Sequence, residues 1–166
     1  MLQIHVDGAT GGNNHGSNHQ SEYQGGYCGI AAVARTTEGY FLGWLSRRLS
    51  QMTNNEAEYR AALLGLRLAQ TLRARQVEIV SDSEVMVRQM TGHSRVNSPR
   101  LKLLHQQAVR QAAHFQVVRF RHVPREENAL ADALAAEALN GRLVTMPTQP
   151  AANNWWQQLM RFPNVK

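Results

Sequence analysis

The spacing of apolar residues changes along the chain, and this change restricts the folds open to it. Near the N-terminus Leu2, Ile4 and Val6 alternate with polar residues, which predicts a strand with one apolar face. Two further strand-like runs, CGIAAVAR and YFLGWLSRRL, follow it and are joined by a predicted hairpin turn at TTEG. From Asn54 onward, segments with helical spacing alternate with strand-like runs. The order predicts an α/β fold, with a mixed five-stranded sheet and helices packed on it.

The later elements follow from the same reasoning. Strands are predicted at VEIVS and FQVVRFRHV, and Gly92 and Asn140-Gly141 are predicted to end helices. The predicted helices cover residues 54–72, 82–90, 101–113 and 128–139.

Two segments show neither pattern. Residues 11–26 are polar and rich in glycine, which predicts a flexible loop. We expect one domain over residues 1–141, followed by a tail at 142–166 that contains three prolines. The tail's apolar residues favour docking on the domain, although stacking on nucleic acid would also suit them. They are Trp155, Trp156, Leu159, Met160 and Phe162.

Composition narrows the functional classes. The chain has 18 Lys and Arg against 12 Asp and Glu, a net charge of +6, which favours a polyanionic partner without requiring one. No apolar run approaches the roughly 18 residues that span a bilayer, so we expect no membrane association. The N-terminus does not resemble a secretory signal, and the single Cys28 suits a reducing compartment. We therefore expect a cytoplasmic protein.

One acid of the 54–72 helix lies where an apolar side chain is expected. At about 100° per residue, Glu58 falls near the centre of the apolar face. Glu56 falls on the opposite side with Arg60 and Arg67, where a solvated ion pair would explain it. A carboxylate that faces a core costs several kcal/mol unless it is paired or binds a metal ion. The apolar face consists of Ala61, Ala62, Gly65, Leu68, Ala69 and Leu72.

Three further acids occupy suggestive positions. Asp132 has small or apolar helical neighbours and is expected to point inward; a buried arginine partner would be an alternative explanation for it or for Glu58. Asp7 is expected at a strand end, with Gly8 as the stop. Asp82 follows a buried strand, although Ser81-Asp82-Ser83-Glu84 also matches a helix capping box. Carboxylates that converge repel one another unless divalent cations neutralise them, and oxygen ligands favour Mg²⁺ or Mn²⁺ over zinc.

Four motifs together resemble a known family. DGAT, TNNEAEY, SDS and HVPREENALAD, in this order and spacing, resemble type 1 ribonuclease H over residues 1–141. The chain is most similar to the compact form, which carries a VPREEN-type sequence before the last helix and has no basic protrusion. The resemblance implies a ribonuclease H-like fold and a monomer that hydrolyses the RNA strand of RNA–DNA hybrids. It also implies two Mg²⁺ ions, for which Mn²⁺ substitutes, and products with 5′-phosphate and 3′-hydroxyl ends.

The resemblance also implies residue roles. Thr53 would bind phosphate, while Asn54 and Asn55 would contact the minor groove; capping of the helix by the asparagines would be compatible with that role. His122 would relay a proton or help to release product, although a histidine at a strand end is often only a surface residue, and Arg125 would instead contact phosphate. The implied catalytic residues and metal ligands are Asp7, Glu58, Asp82 and Asp132.

Two other functions fit parts of the pattern. A nuclease of the same superfamily that acts on DNA would use similar carboxylates, but the asparagine pair and VPREEN argue against it. A catalytically silent hybrid-binding module is the second alternative, and the presence of all four acids argues against that.

Overall fold

A computed structural model of the chain describes residues 1–11 and 26–142. The predicted flexible loop, apart from its end residues Gly11 and Gly26, lies outside the described residues. The same holds for the tail beyond Arg142 and for the predicted docking of its aromatic residues.

Five strands form one mixed sheet, as the sequence predicts, in the order β3-β2-β1-β4-β5. Strand β1 pairs antiparallel with β2 and parallel with β4. Strand β3 pairs antiparallel with β2, and β5 pairs parallel with β4. The elements are β1 (Leu2–Thr10), β2 (Tyr27–Arg35), β3 (Phe41–Ser50), α1 (Asn54–Thr71), β4 (Gln76–Ser81), α2 (Glu84–Met90), α3 (Pro99–Ala112), β5 (Val117–His122), a 3₁₀ turn (Arg125–Asn128) and α4 (Ala129–Leu139).

The two faces of the sheet bury different side chains because successive residues of a strand point in opposite directions. Ile4 and Val6 of β1 belong to the larger core cluster, together with residues of α1 and α3. Ala31 and Val33 of β2 belong to a smaller cluster with residues of α4. The sheet therefore lies between α1 and α3 on one face and α4 on the other.

Helix α1 begins with a complete capping box, which corrects the expected role of Glu56. Thr53 is the N-cap, and its hydroxyl accepts a hydrogen bond from the Glu56 amide at 3.3 Å. The Glu56 carboxylate reaches back and accepts from the Thr53 amide at 2.8 Å. This leaves Glu56 buried rather than solvated, because a side chain in the first turn can fold back over the helix end. Arg60 and Arg67 are exposed, as predicted.

Helix α2 begins two residues later than predicted. Ser83 is its N-cap and accepts from the Met86 amide at 3.4 Å. The proposed capping box from Ser81 to Glu84 is wrong, because the Ser81 hydroxyl instead accepts from the Ser83 amide at 3.1 Å. Asp82 is therefore free of a capping role and lies between β4 and α2.

Strand β1 continues through Asp7 and Gly8, so the predicted stop at Gly8 is wrong. Position 8 requires glycine because α1 lies directly against the strand there. A Cβ atom at position 8 would lie 2.6 Å from the carbonyl carbon of Ala57 and 2.8 Å from the amide nitrogen of Glu58. Both atoms belong to the backbone, which cannot move aside as a flexible side chain can.

In the described part of the chain, no helix is long and apolar enough to cross a membrane.

Gly8→Ala should destabilise the protein by about 2 kcal/mol or more, because the added methyl group forces β1 and α1 apart. Chemical denaturation of the full chain measures the effect. Gly11→Ala is the matched control: its Cβ would meet nothing closer than the Tyr27 carbonyl oxygen at 3.7 Å. The control should change stability by no more than about 1 kcal/mol. Equal effects of the two substitutions would contradict the close approach at Gly8.

Candidate active site

Three elements bring three acids together at one edge of the sheet. Asp7 lies on β1 just beyond His5, the last residue of β1 that pairs with β4. Asp82 directly follows β4, and Glu58 lies in the second turn of α1. Carboxylate oxygens from Asp7, Glu58 and Asp82 all lie within 4.8 Å of one another. We call these three residues the acid cluster.

Glu58 is as deeply buried as Asp7, since both side chains are almost fully shielded from solvent. Its side chain lies against Gly8, whose backbone amide donates a hydrogen bond to it. Its Oε2 atom is buried and has no hydrogen-bond partner within the described part of the chain. Burial, followed by the charges of Asp7 and Asp82, raises the pKa of Glu58 to about 9.

Asp7 experiences the same two effects. Burial raises its pKa to about 7, assisted by the charges of Asp82 and Asp132 and by a hydrogen bond with the Asp82 carboxyl group. The nearby Arg125 acts in the opposite direction on the pKa values of both Asp7 and Glu58. Its single positive charge leaves both values well above those of ordinary carboxylic acids.

The acid cluster suits a divalent cation. Its ligand atoms are all oxygens, and one of them is buried without a partner among the described residues. A cation would relieve the mutual repulsion of the three carboxylates. Carboxylate-only ligands favour Mg²⁺ or Mn²⁺ over zinc, which prefers nitrogen and sulfur. The residues present therefore fit the metal that the sequence predicts.

Asp132 approaches the acid cluster without being part of it. Its charge contributes to the raised pKa of Asp7, so the two carboxylates interact. Its own Oδ1, however, accepts a hydrogen bond from the Arg125 guanidinium at 2.6 Å. The Asp132 side chain is 33% exposed and that of Arg125 is 72% exposed. Asp132 thus has an arginine partner, as the alternative interpretation required, but this arginine lies at the surface rather than in the core.

His122 lies at the end of β5, beside the acid cluster. Its Nε2 atom is 3.2 Å from the backbone oxygen of Asp82, and the side chain is exposed to solvent. A hydrogen bond across this distance requires that Nε2 carry the proton. The predicted histidine is therefore close to the backbone of one acid.

Asn54 and Asn55 occupy the first two positions of α1 and are exposed. The expected capping of the helix by this pair is wrong, because Thr53 is the N-cap. The Thr53 hydroxyl already donates to Glu56 at 2.9 Å. The amides of the two asparagines therefore remain accessible, whereas the Thr53 hydroxyl can only accept a further hydrogen bond unless it rotates.

Sequence reasoning missed two buried polar residues at this site. Asn128 is 1% exposed, and its side-chain amide donates to Asp82 and to the Val6 backbone. His5 is 8% exposed and lies on β1, two residues before Asp7. The alternation along β1 could have indicated His5, because it places His5 on the same face of the strand as Asp7. That face was interpreted only as polar.

The comparisons with known proteins agree with this fold. Residues 13–138 match the family described as reverse transcriptase-like, and the chain belongs to that family. Its sheet and helices match those of solved ribonuclease H domains.

Two named relatives illustrate the similarity. The bifunctional protein Rv2228c of Mycobacterium tuberculosis is 33% identical over 138 residues, which are 82% of this chain and 35% of that protein. Ribonuclease HI of Halobacterium salinarum is 32% identical over 139 residues, 84% of this chain and 64% of that protein. The chain thus spans about a third of the first relative's length and less than two thirds of the second's.

A solved structure shows the same similarity in three dimensions. LC11-RNase H1, which was isolated from compost by a metagenomic approach, has been solved in complex with an RNA/DNA hybrid. It superimposes with a TM-score of 0.74 at 32% identity, over 85% of this chain and 98% of that one.

The raised pKa values predict how stability depends on pH without metal. Asp7 and Glu58 bind protons more tightly when folded, so folding is favoured below the ordinary carboxylic-acid pKa of about 4. This contribution is lost as pH rises through about 7 for Asp7 and about 9 for Glu58. The free energy of unfolding, measured in EDTA by urea denaturation, should therefore fall across this range, and Mg²⁺ should oppose the fall.

Asp7→Asn is the control for this titration. The variant lacks the lower of the two transitions, so its stability in EDTA should decline less with pH and exceed that of the parent protein near pH 8. A parent protein and variant with parallel pH profiles would contradict the raised pKa of Asp7.

Proposed function

We propose that the chain is an endonuclease that hydrolyses the RNA strand of RNA–DNA hybrids, using two Mg²⁺ ions and leaving 5′-phosphate and 3′-hydroxyl ends. The observation that carries the proposal is the acid cluster, whose three carboxylates lie within 4.8 Å of one another. Repulsion in this cluster has no structural benefit for a metal-free protein, whereas a cation bound there can stabilise the charge that develops in phosphodiester hydrolysis.

The relatives supply the substrate class. The Halobacterium relative is named ribonuclease HI, and LC11-RNase H1 was solved with an RNA/DNA hybrid. The chain's net charge of +6 is consistent with a polyanionic substrate.

The four acids have one shared task in this proposal. Asp7, Glu58 and Asp82 would hold the cations, and Asp132, whose partner Arg125 is exposed, would complete the set of ligands. When bound, the cations stabilise the charge that develops on the attacking and leaving oxygens. Mn²⁺ should substitute for Mg²⁺, because both accept oxygen ligands.

The residues around the acids bind and orient the hybrid. Asn54 and Asn55 present exposed amides that can contact base edges and RNA 2′-hydroxyls, and Thr53 can accept a hydrogen bond beside them. Arg125, once released from Asp132, can contact a phosphate. His122 is exposed beside Asp82 and can carry a proton to or from the reacting phosphate group.

The proposal has further parts that concern the whole chain. The connection from α2 to α3 contains only residues 91–98, which supports the compact form without a basic protrusion. We also propose a monomer with a catalytic domain at residues 1–141 and a docked tail at 142–166. A cytoplasmic location is proposed because the single cysteine, Cys28, is buried and unpaired.

Substitution of the acids tests the site. Asp7→Asn, Asp82→Asn and Glu58→Gln should each lower kcat at saturating hybrid by at least about a hundredfold, because each removes a charged metal ligand. Glu137→Gln is the matched control, since Glu137 lies on α4 in an ion pair with Arg142. Circular dichroism should show that all four variants fold. Near-normal turnover by any of the first three would refute the site assignment.

A strand-specific assay tests the substrate. One strand at a time is labelled in an RNA–DNA hybrid, duplex DNA and duplex RNA, and each is incubated with Mg²⁺ or EDTA. We expect cutting only of the RNA strand of the hybrid, and only with Mg²⁺. Phosphatase sensitivity and ligation of the fragments then identify their ends. Cutting of duplex DNA would instead support the DNA nuclease, and binding without cutting would support the silent module.

A further inference from the structure

Asn128 connects three parts of the fold behind the acid cluster. It ends the 3₁₀ turn before α4, and its side chain is buried. Its Nδ2 atom donates to the backbone oxygen of Val6 at 2.9 Å and to Oδ1 of Asp82 at 3.0 Å. Neither acceptor carries a hydrogen when Asp82 is ionised, so the amide nitrogen rather than the amide oxygen must face them. The orientation of the Asn128 side chain is therefore determined.

This orientation directs the amide oxygen of Asn128 away from Asp82. That oxygen, Oδ1, is buried and has no hydrogen-bond partner among the described residues, and the same is true of Nδ1 of His5. The two side chains are neighbours, because Asn128 donates to the backbone oxygen of Val6, the residue that follows His5 on β1. Burial lowers the pKa of His5, and the nearby Asn128 side chain partly offsets this lowering. Nδ1 is a donor in one neutral tautomer of histidine and in its charged form, so the pairing does not require a change of charge.

We propose that His5 and Asn128 form a positioning pair, in which Nδ1–H of His5 fixes the Asn128 amide and the amide holds the Asp82 carboxylate in the acid cluster. The inference rests on the proposed function, because Asp82 is assigned there as a metal ligand. Both members are positioning residues, since they act through Asp82 rather than on the substrate.

Asp82 needs such support more than the other two acids do. Asp7 is held within a paired strand and Glu58 within a helix, whereas Asp82 lies in the short connection between β4 and α2. Repulsion from Asp7 and Glu58 would push its carboxylate away from the cluster. Asn128 opposes this by bonding to one oxygen, Oδ1, which leaves Oδ2 available to a cation. Groups that hold a ligand in this way commonly change metal affinity tenfold or more when they are removed.

A purely structural role is the competing explanation, because Asn128 also ties the 3₁₀ turn to β1. The two explanations differ in what they predict for metal binding. A structural tie affects the free energy of unfolding alone, whereas a positioning pair also affects the affinity for cations and kcat.

The test uses the full chain with His5→Leu, His5→Asn and Asn128→Ala. His5→Leu replaces the ring with an apolar side chain of similar size and removes the donor, whereas His5→Asn keeps an N–H group at the position of Nδ1. Tyr59→Phe is the matched control, because it breaks a buried hydrogen bond of 2.9 Å to Gln89 that does not involve the acid cluster.

Three quantities are measured: Mn²⁺ affinity by calorimetry without substrate, kcat and KM for the hybrid, and the metal-free melting temperature. His5→Leu and Asn128→Ala should weaken Mn²⁺ binding by about tenfold and lower kcat, with KM changed by less than about twofold. His5→Asn should recover a large part of both losses. Tyr59→Phe should lower the melting temperature only.

The positioning pair is overturned if His5→Leu behaves like Tyr59→Phe, with a lower melting temperature and unchanged Mn²⁺ affinity. His5→Leu decides the matter if Asn128→Ala does not fold. The proposed function and the positioning pair can fail separately. If the parent protein binds Mn²⁺ through Asp82 but does not cut the hybrid, the proposed function is refuted, while the calorimetry still tests the pair. Mn²⁺ binding that Asp82→Asn does not weaken would overturn the pair as well.

Discussion

The close approach of α1 to β1 at Gly8 is the contact on which the acid cluster depends. With no side chain between them, the backbone of α1 at Ala57 and Glu58 lies against the strand. The Gly8 amide then donates to the Glu58 carboxylate, which brings that carboxylate to Asp7 on the adjacent residue of β1. A larger residue at position 8 would separate the elements that carry these two acids.

The same packing creates the electrostatic cost of the site. Burial in a region of low dielectric constant disfavours charge on Glu58 and Asp7. The charge of Asp82 raises the pKa of both residues further, and the charge of Asp7 adds to the effect on Glu58. A protein selected only for stability would place apolar side chains here, since buried charges rarely repay their desolvation. The fold instead keeps three oxygen ligands together, which is stabilising only when a cation is present.

The sequence predicted the sheet and its helices because the apolar periods of two and of about 3.6 residues are strong along this chain. It also predicted that Glu58 is buried, because this acid lies on the apolar face of a helix. It did not predict the burial of Glu56, since helical phase ignores the freedom of a first-turn side chain to fold back to Thr53. Similarly, Gly8 looked like a strand end, because the proximity of α1 that requires glycine there is a contact between distant segments.

The partners of the acids were beyond sequence reasoning for a related reason. A pattern along one element shows which face a residue occupies, but not which residue from another element meets it. Asn128 reaches Asp82 from 46 residues away, and Val6 from 122 residues away. Arg125 and Asp132 are only seven residues apart, yet their ion pair depends on the change from a 3₁₀ turn to α4 between them. The 3₁₀ turn thus supplies a partner for each of two acids. The buried amide of Asn128 holds Asp82 in place, and the exposed guanidinium of Arg125 balances the charge of Asp132. Because the guanidinium is at the surface, solvent can replace it at a small cost, whereas loss of the buried amide would leave a carboxylate and a backbone oxygen without a donor.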